Sequence, residues 1–110
     1  MTTEEVKNKL FGFINEKKIE NVEELFVGDK TVLADYFLIA TVRNVLQVRM
    51  LGEFLEESCE KAGISLLHKD GEHTTGWIVM DFGGVMVHIF TVDKKEYYSL
   101  DKFWKNKEKQ

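Results

Sequence analysis

The sequence predicts a mixed α/β (α+β) fold, in which helices pack on one five-stranded sheet. Two long segments repeat apolar residues at helical spacing, and five shorter segments have the composition of strands. Their order is helix, two strands, helix, three strands and a short closing helix around residues 99–104, an order typical of a mixed sheet. With 110 residues, we expect residues 1–110 to form a single domain whose tail frays after about residue 105.

Composition and charge limit the classes of protein to which this chain can belong. Hydrophobic residues make up 44% and charged residues 31% of the chain, as in globular proteins. The formal net charge of -4 argues against direct binding of nucleic acid phosphates and suits a basic protein partner. No apolar run approaches the roughly 18 residues that cross a bilayer. With one cysteine, Cys59, and no targeting segment, we expect a cytoplasmic protein without membrane attachment.

The first half of the chain contains a helix and two strands. Thr2 and Glu5 have the spacing of a capping box and predict a helix from about Thr3 to Lys17. The segment that follows predicts a strand over residues 23–27. A second strand is predicted over residues 34–41, where near-continuous apolarity indicates burial on both faces.

A long helix and a third strand occupy the middle of the chain. Asn44 is a suitable N-cap for a helix that runs to about Ala62, and Gly63 supplies a left-handed stop. Residues 64–68, I-S-L-L-H, predict the third strand. Residues 69–76, K-D-G-E-H-T-T-G, predict a polar loop.

A β-hairpin is predicted over residues 77–90, because two apolar runs flank Gly83 and Gly84. This turn sets the pairing of the strands, with Val79 opposite His88. One face of the hairpin is purely apolar and should belong to the core: Ile78, Met80, Phe82, Val85, Val87 and Ile89. The other face includes a carboxylate and an imidazole: Trp77, Val79, Asp81, Met86, His88 and Phe90.

Metal-dependent phosphoryl transfer is disfavoured by the positions of the carboxylates. Such sites often place two carboxylates at i and i+2 of one strand, where both point the same way. Asp35 has Phe37 at that position, and Asp81 has Gly83. No glycine-rich phosphate loop precedes either aspartate. We therefore expect no nucleotidyl transfer.

Histidines and the cysteine do not have the spacing of a metal site. His68, His73, His88 and Cys59 lack the close pairs typical of zinc ligands. We expect a core thiol, two exposed imidazoles and one histidine within the sheet. A buried thiol is also a poor nucleophile, which disfavours cysteine catalysis.

Asp81 and His88 are predicted on neighbouring strands, offset by one pair. They could form an acid–base dyad or a structural hydrogen bond on a half-buried face. Because no nucleophile or oxyanion donor is visible nearby, we favour the structural hydrogen bond.

An aromatic cluster has two possible roles. Trp77, Met86, Phe90, Tyr97 and Tyr98 could lie in the core beneath a helix. They could equally form an exposed patch with the composition of a protein interface. Composition alone leaves both possibilities open.

Four segments carry a family resemblance: A-D-Y-F-L-I-A-T at residues 34–41, Q-V at 47–48, G-W-I-V-M-D-F-G-G-V-M-V-H-I-F at 76–90, and E-Y-Y-S-L-D-K-F-W at 96–104. In order and spacing they resemble the ribosomal silencing factor family, also called Iojap or RsfS. The resemblance covers nearly the whole chain, and the hairpin segment is its most specific part.

The resemblance implies a non-enzymatic domain with nucleotidyltransferase-like topology, no metal carboxylates and no cofactor. It implies binding to ribosomal protein fourteen of the large ribosomal subunit, which blocks joining of the small subunit and represses translation when nutrients are short. Some members are homodimers when free, and contacts with ribosomal RNA stay open. The residues expected to bind the partner lie on the hairpin and after it: Trp77, Val79, Asp81, Met86, His88, Lys95, Tyr97 and Tyr98. The alternatives are a degenerate nucleotidyltransferase-like enzyme and a homodimerising assembly module.

The sequence departs from the family pattern at two positions. Val42 follows Thr41 where the family usually has glycine, and Gly84 stands at the second turn position of the hairpin, where aspartate is common. Neither departure lies among the residues expected to bind the partner.

Overall fold

The structure is a computed structural model that describes residues 1–19 and 21–93 of the chain. The predicted closing helix and frayed tail lie outside the described residues. Helices and strands follow in this order: α1 (Thr3–Glu16), β1 (Asn21–Phe26), β2 (Tyr36–Val42), α2 (Val45–Ala62), β3 (His68–Glu72), a 3-10 turn (His73–Thr75), β4 (Trp77–Asp81) and β5 (Val85–Thr91).

All five strands form one sheet in the order β1-β2-β5-β4-β3. The central pair, β2 and β5, is parallel, and the other three pairs are antiparallel. The chain reaches β5 from β2 by way of α2 and the β3–β4 pair, which provides the crossover that parallel neighbours need. The predicted α+β fold class with a mixed five-stranded sheet is confirmed.

Both long helices begin at the predicted caps. The Thr2 hydroxyl accepts a hydrogen bond from the Glu5 N–H, and the Glu5 carboxylate accepts one from the Thr2 N–H, each at 3.1 Å. The Asn44 side chain accepts from the Gln47 N–H at 3.0 Å, and α2 ends at Gly63 with a φ of 76°. No helix in the described part of the chain has the length and apolarity to cross a membrane.

The third strand lies later in the chain than predicted. Residues 64–68 were expected to form it, but the strand is His68–Glu72, inside the expected polar loop. Ile64 is buried against the core, and its N–H bonds the Cys59 carbonyl at 2.8 Å, so this apolar segment finishes the turn after α2. All five residues of β3 are exposed. An edge strand is held by backbone pairing, so it needs no apolar alternation.

The hairpin has the predicted register, with Trp77 opposite Phe90 and Asp81 opposite Met86. Gly83 adopts a φ of 91°, a conformation that favours glycine. At Gly84 a Cβ atom would lie 2.5 Å from Thr3 Cγ2, because the turn packs against the start of α1. This contact leaves no room for a Cβ atom at position 84 unless the Thr3 side chain moves.

The two faces of the sheet differ in what packs on them. On the face that we call the helix-covered face, strand side chains form one buried core with residues of both helices. The strands contribute Leu38, Ala40, Val42, Ile78, Met80, Val85, Val87 and Ile89. The opposite face, which we call the mixed face, has its own smaller cluster, without residues of α1 or α2. The strand side chains on the mixed face are Asn21, Glu23, Leu25, Phe37, Ile39, Thr41, His68, Asp70, Glu72, Trp77, Val79, Asp81, Met86, His88 and Phe90.

Candidate partner-binding site

Five of the eight residues expected to bind a partner lie together on the mixed face. Trp77, Val79 and Asp81 alternate along β4, and Met86 and His88 alternate along the neighbouring β5. All of them except His88 are partly exposed. The other three expected residues, Lys95, Tyr97 and Tyr98, lie outside the described residues.

Trp77 is held in place by its neighbour across the β4–β5 pair. Its indole stacks on the Phe90 ring, with 4.9 Å between ring centroids and 18° between planes. Phe90 is fully buried, whereas Trp77 is only partly buried. A rigid indole that rests on a buried ring and keeps part of its surface in solvent has the properties of an interface anchor, because little side-chain entropy is lost on binding.

His88 lies beneath this surface, between aromatic rings. It is 5% exposed, and its ring meets Phe37 edge-on at 4.8 Å and is stacked 6.0 Å from Phe90. Neither ring nitrogen has a hydrogen-bond partner within the described chain. Burial lowers the pKa of His88 to about 4, because a charged imidazole is poorly solvated among apolar rings. The side chain is therefore neutral at pH 7.

The prediction of a hydrogen bond between Asp81 and His88 is wrong. Asp81 Oδ1 instead accepts the backbone N–H of Gly83 at 2.8 Å, and both His88 nitrogens lack partners among the described residues. A short aspartate side chain reaches the amide two residues ahead more easily than a ring on the next strand. Asp81 therefore stabilises the hairpin turn, and the acid–base dyad has no geometric basis.

An acidic edge, absent from the predicted site, borders Trp77. Register places Asp70 beside Val79 and Glu72 beside Trp77, on the same side of the sheet. A cleft of about 250 Å³ opens between β3 and β4, lined by Asp70, Gly71, Thr75, Trp77 and Val79. Sequence patterns do not indicate these carboxylates as site residues, because a fully exposed edge strand lacks the apolar alternation that predicts strands.

The other chemical candidates lie apart from the mixed face or from each other. Cys59 is buried in the core as predicted, and burial raises the pKa of its thiol to about 11. His68 is exposed as predicted, but His73 is half-buried. Asp35 lies exposed just before β2. Within the described residues, no three His, Cys, Asp or Glu side chains come together in a group that could hold a metal ion.

Comparison with known proteins agrees with the resemblance in sequence. The family model described as "Ribosomal silencing factor during starvation" matches residues 1–110. The ribosomal silencing factor RsfS of Halalkalibacterium halodurans is 30% identical over 104 residues, which cover 94% of this chain and 89% of that protein. The protein of the same name from Haemophilus influenzae is 36% identical over 78 residues, which cover 71% of this chain and 76% of that protein.

The fold is also found among solved structures. A crystal structure of a protein from Chromobacterium violaceum matches with a TM-score of 0.89 and 23% identity, covering 94% of this chain and 87% of that one. The shared family name describes a regulatory role rather than catalysis. The chain therefore belongs to the ribosomal silencing factor (RsfS) family.

Proposed function

We propose that this protein represses translation by binding the large ribosomal subunit through the mixed face. Bound there, it blocks joining of the small subunit in the cytoplasm when nutrients are short. The proposed contact is ribosomal protein fourteen of the large subunit. Family membership supports a ribosomal target, and the mixed face supports a protein partner.

The single observation that carries this proposal is the stacking of Trp77 on the buried Phe90 ring. Tryptophan is enriched among the residues that contribute most to binding, and such residues lie near the centre of an interface. The partly exposed side chains of Val79 and Met86 continue the apolar surface around the indole. By resemblance, Tyr97 and Tyr98 are further proposed contacts with the partner.

Charge on the mixed face suits a basic ribosomal protein. Asp70, Glu72 and Asp81 all lie on this side of the sheet, on β3 and β4. Carboxylates around an apolar centre speed encounter with a basic surface, while the apolar contacts slow dissociation. By resemblance, Lys95 adds a polar contact at the same interface.

Repression by occlusion requires only stable binding. A protein held on the joining surface of the large subunit excludes the small subunit by volume. This mechanism uses no nucleophile, no acid–base pair and no cofactor. It agrees with the neutral state of His88 and with the use of the Asp81 carboxylate in the hairpin turn.

Subunit joining, followed by light scattering, tests the proposal. Large subunits incubated with this protein should fail to join small subunits, and added free ribosomal protein fourteen should restore joining by competing for the mixed face. Joining at the normal extent by large subunits that carry the bound protein would contradict occlusion. The alternative occupant of the mixed face is a second copy of the chain. Self-association that large subunits do not compete away would favour that assembly role instead.

A further inference from the structure

The β1–β2 loop, residues 27–35, presents two strongly exposed apolar side chains, which we call the exposed pair. Val32 is fully exposed and Leu33 is 69% exposed. The Lys30 side chain, in contrast, is only 12% exposed and pairs with Asp29 at 2.8 Å. Lysine is mostly exposed in proteins and valine and leucine are mostly buried, so this loop reverses the usual arrangement. Because the exposed pair buries little surface on folding, it adds little to stability.

Hydrogen bonds within the β1–β2 loop stabilise its conformation. The Val27 carbonyl accepts the N–H groups of Lys30 at 2.9 Å and of Thr31 at 3.1 Å. The Thr31 hydroxyl accepts the Leu33 N–H at 3.1 Å. The loop is closed by the Val27 N–H, which donates to the Asp35 carbonyl at 2.7 Å. Apolar side chains on a backbone that is already ordered lose less conformational entropy on binding than those on a loose loop.

Both ends of the β1–β2 loop are anchored on the mixed face. Val27 and Ala34 are buried in the cluster on that face, against which Met86 packs. The Asp35 N–H donates to the Gly84 carbonyl at 2.8 Å, so the loop lies beside the hairpin turn. The exposed pair therefore belongs to a loop at the edge of the surface that is proposed to bind the partner.

The distance between this loop and Trp77 suits a single interface. Trp77 and Asp81 are four residues apart on β4, which is about 13 Å, and β4 lies two strand spacings of about 4.8 Å from β2. Phe37, near the start of β2, therefore lies about 16 Å from Trp77. An interface of ordinary size covers about 800 Å² of each partner, or a disc about 30 Å across. One partner surface can contact both places.

Carboxylates near the exposed pair suit the same kind of partner as the mixed face does. The Asp29 side chain is 63% exposed, and Asp35 is also exposed. Asp81 lies at the same end of the sheet. The one cation within residues 27–35 is Lys30, which is paired with Asp29. This charge favours a basic protein surface and disfavours nucleic acid phosphates.

We propose that the β1–β2 loop is a second contact with the basic ribosomal protein that the mixed face binds. Val32 and Leu33 enter an apolar depression on that protein, and the carboxylates of the loop face basic groups around it. Phe26, another exposed apolar residue nearby, points to the other side of β1 and takes no part. This inference rests on the proposed function, because it assigns a further contact to the same interface.

Co-sedimentation of the full chain with isolated large subunits tests the exposed pair. The double variant Val32→Gln/Leu33→Gln should bind about tenfold more weakly, because two apolar side chains are lost from the contact. Its urea unfolding transition should match that of wild type, since both side chains are exposed. The matched control is Leu46→Gln/Met50→Gln, which changes two side chains of α2 that are 57% and 58% exposed and lie on the other side of the sheet.

The control should bind as wild type does. Equal losses for the two double variants would show a general effect of surface apolarity and would overturn the proposal. A change in the sedimentation of the free loop variant, with ribosome binding unchanged, would assign the exposed pair to self-association and would also overturn it.

Trp77→Ala separates this inference from the proposed function. Loss of binding by Trp77→Ala but not by the loop variant would overturn the loop contact and leave the mixed face as the binding surface. Loss by the loop variant alone would support the loop contact and contradict the role of Trp77. Normal binding by both variants would overturn both.

Thr31 tests whether the ordered backbone of the loop contributes to binding. Thr31→Val removes the hydroxyl that accepts the Leu33 N–H and should weaken binding several-fold. Thr31→Ser keeps the hydroxyl and should bind as wild type does. Wild-type binding by Thr31→Val would overturn the contribution of this hydrogen bond to the contact.

Discussion

The two faces of the sheet are built from alternate residues of the same strands and both bury apolar side chains, yet they differ in the polar and partly exposed side chains that they carry. On the helix-covered face, Ile78 and Met80 of β4 are buried apolar side chains within a core shared with both helices. On the mixed face, the same strand presents Trp77 partly to solvent, and β5 buries His88 without a hydrogen-bond partner among the described residues.

This difference between the faces distinguishes the residues that stabilise the fold from the residues proposed to bind a partner. A buried polar group without a partner and a partly exposed indole both work against stability or solubility, so folding alone gives no reason to keep them. Binding gives a reason for Trp77, since interface anchors must be exposed before the partner arrives. Substitutions on the helix-covered face should therefore lower the free energy of unfolding without changing ribosome binding. Substitutions on the mixed face should weaken ribosome binding with little loss of stability.

The largest effect on stability is expected from a matched pair of methionines. Met80 is fully buried on the helix-covered face, whereas Met86 is partly buried on the mixed face. Met80→Ala should lower the free energy of unfolding by about 2–5 kcal/mol, the range for truncated core side chains. Met86→Ala should lower it by less than about 1 kcal/mol, because less surface is buried there.

Urea unfolding measures the difference in stability between the two variants, and sedimentation with isolated large subunits measures the difference in ribosome binding. Met86→Ala should weaken ribosome binding, whereas the folded fraction of Met80→Ala should bind as wild type does. Equal changes in both measurements for the two variants would remove the distinction between the faces.

The next effect is a pH dependence due to His88. Its pKa is about 4 in the folded state, compared with an ordinary value of 6.5. Between these values the unfolded chain binds more protons, so the free energy of unfolding falls as the pH drops from 6.5 towards 4. The loss should be on the order of 3 kcal/mol once the pH reaches 4, and it should vanish about one pH unit above 6.5, where His88 is neutral in both states.

His88→Phe provides the comparison for this prediction. Phenylalanine fits among the aromatic neighbours and leaves no buried nitrogen unsatisfied, so stability at pH 7.5 should be equal or higher. The difference in unfolding free energy between wild type and variant, measured in urea at several pH values, should grow below pH 6.5. A constant difference would show that His88 is not held neutral by burial.

A stability effect smaller than those of Met80 and His88 is expected at the hairpin turn. Gly84→Ala places a Cβ atom 2.5 Å from Thr3 Cγ2, and overpacking of this kind costs about 1–3 kcal/mol. Because the contact involves α1 and not the mixed face, ribosome binding by the folded protein should not change. Adding Thr3→Ala should restore most of the stability in thermal or urea unfolding; no recovery would place the strain elsewhere.

How far the sequence predicts this fold differs from element to element. The register of the hairpin follows from the glycine pair and the alternation of apolar residues, and the helix ends follow from Thr2, Asn44 and Gly63. The strand β3 could not be predicted in the same way, because its exposed side chains carry no apolar pattern and its pairing with β4 is made by the backbone.

The sequence predicts which residues lie together at the candidate site better than it predicts the contacts between them. Strand alternation placed Trp77 and His88 on one face. It could not show that the Asp81 carboxylate would accept its hydrogen bond from the Gly83 N–H. Strand pairing brings His88 near Asp81, but it does not decide which of two nearby donors the carboxylate bonds. Helical periodicity likewise identified an apolar stripe on each helix, but not that both stripes would pack on the same face of the sheet.

Binding of the Trp77→Ala variant to isolated large subunits tests the central claim most directly. Co-sedimentation should show affinity reduced about 30-fold or more, which corresponds to about 2 kcal/mol, with the unfolding transition close to that of wild type. The control is Phe26→Ala, which removes an aromatic ring that is 50% exposed and pairs with Tyr36, away from the mixed face; its affinity should not change. A folded Trp77→Ala variant that binds as tightly as wild type would contradict the assignment of the mixed face as the ribosome-binding surface.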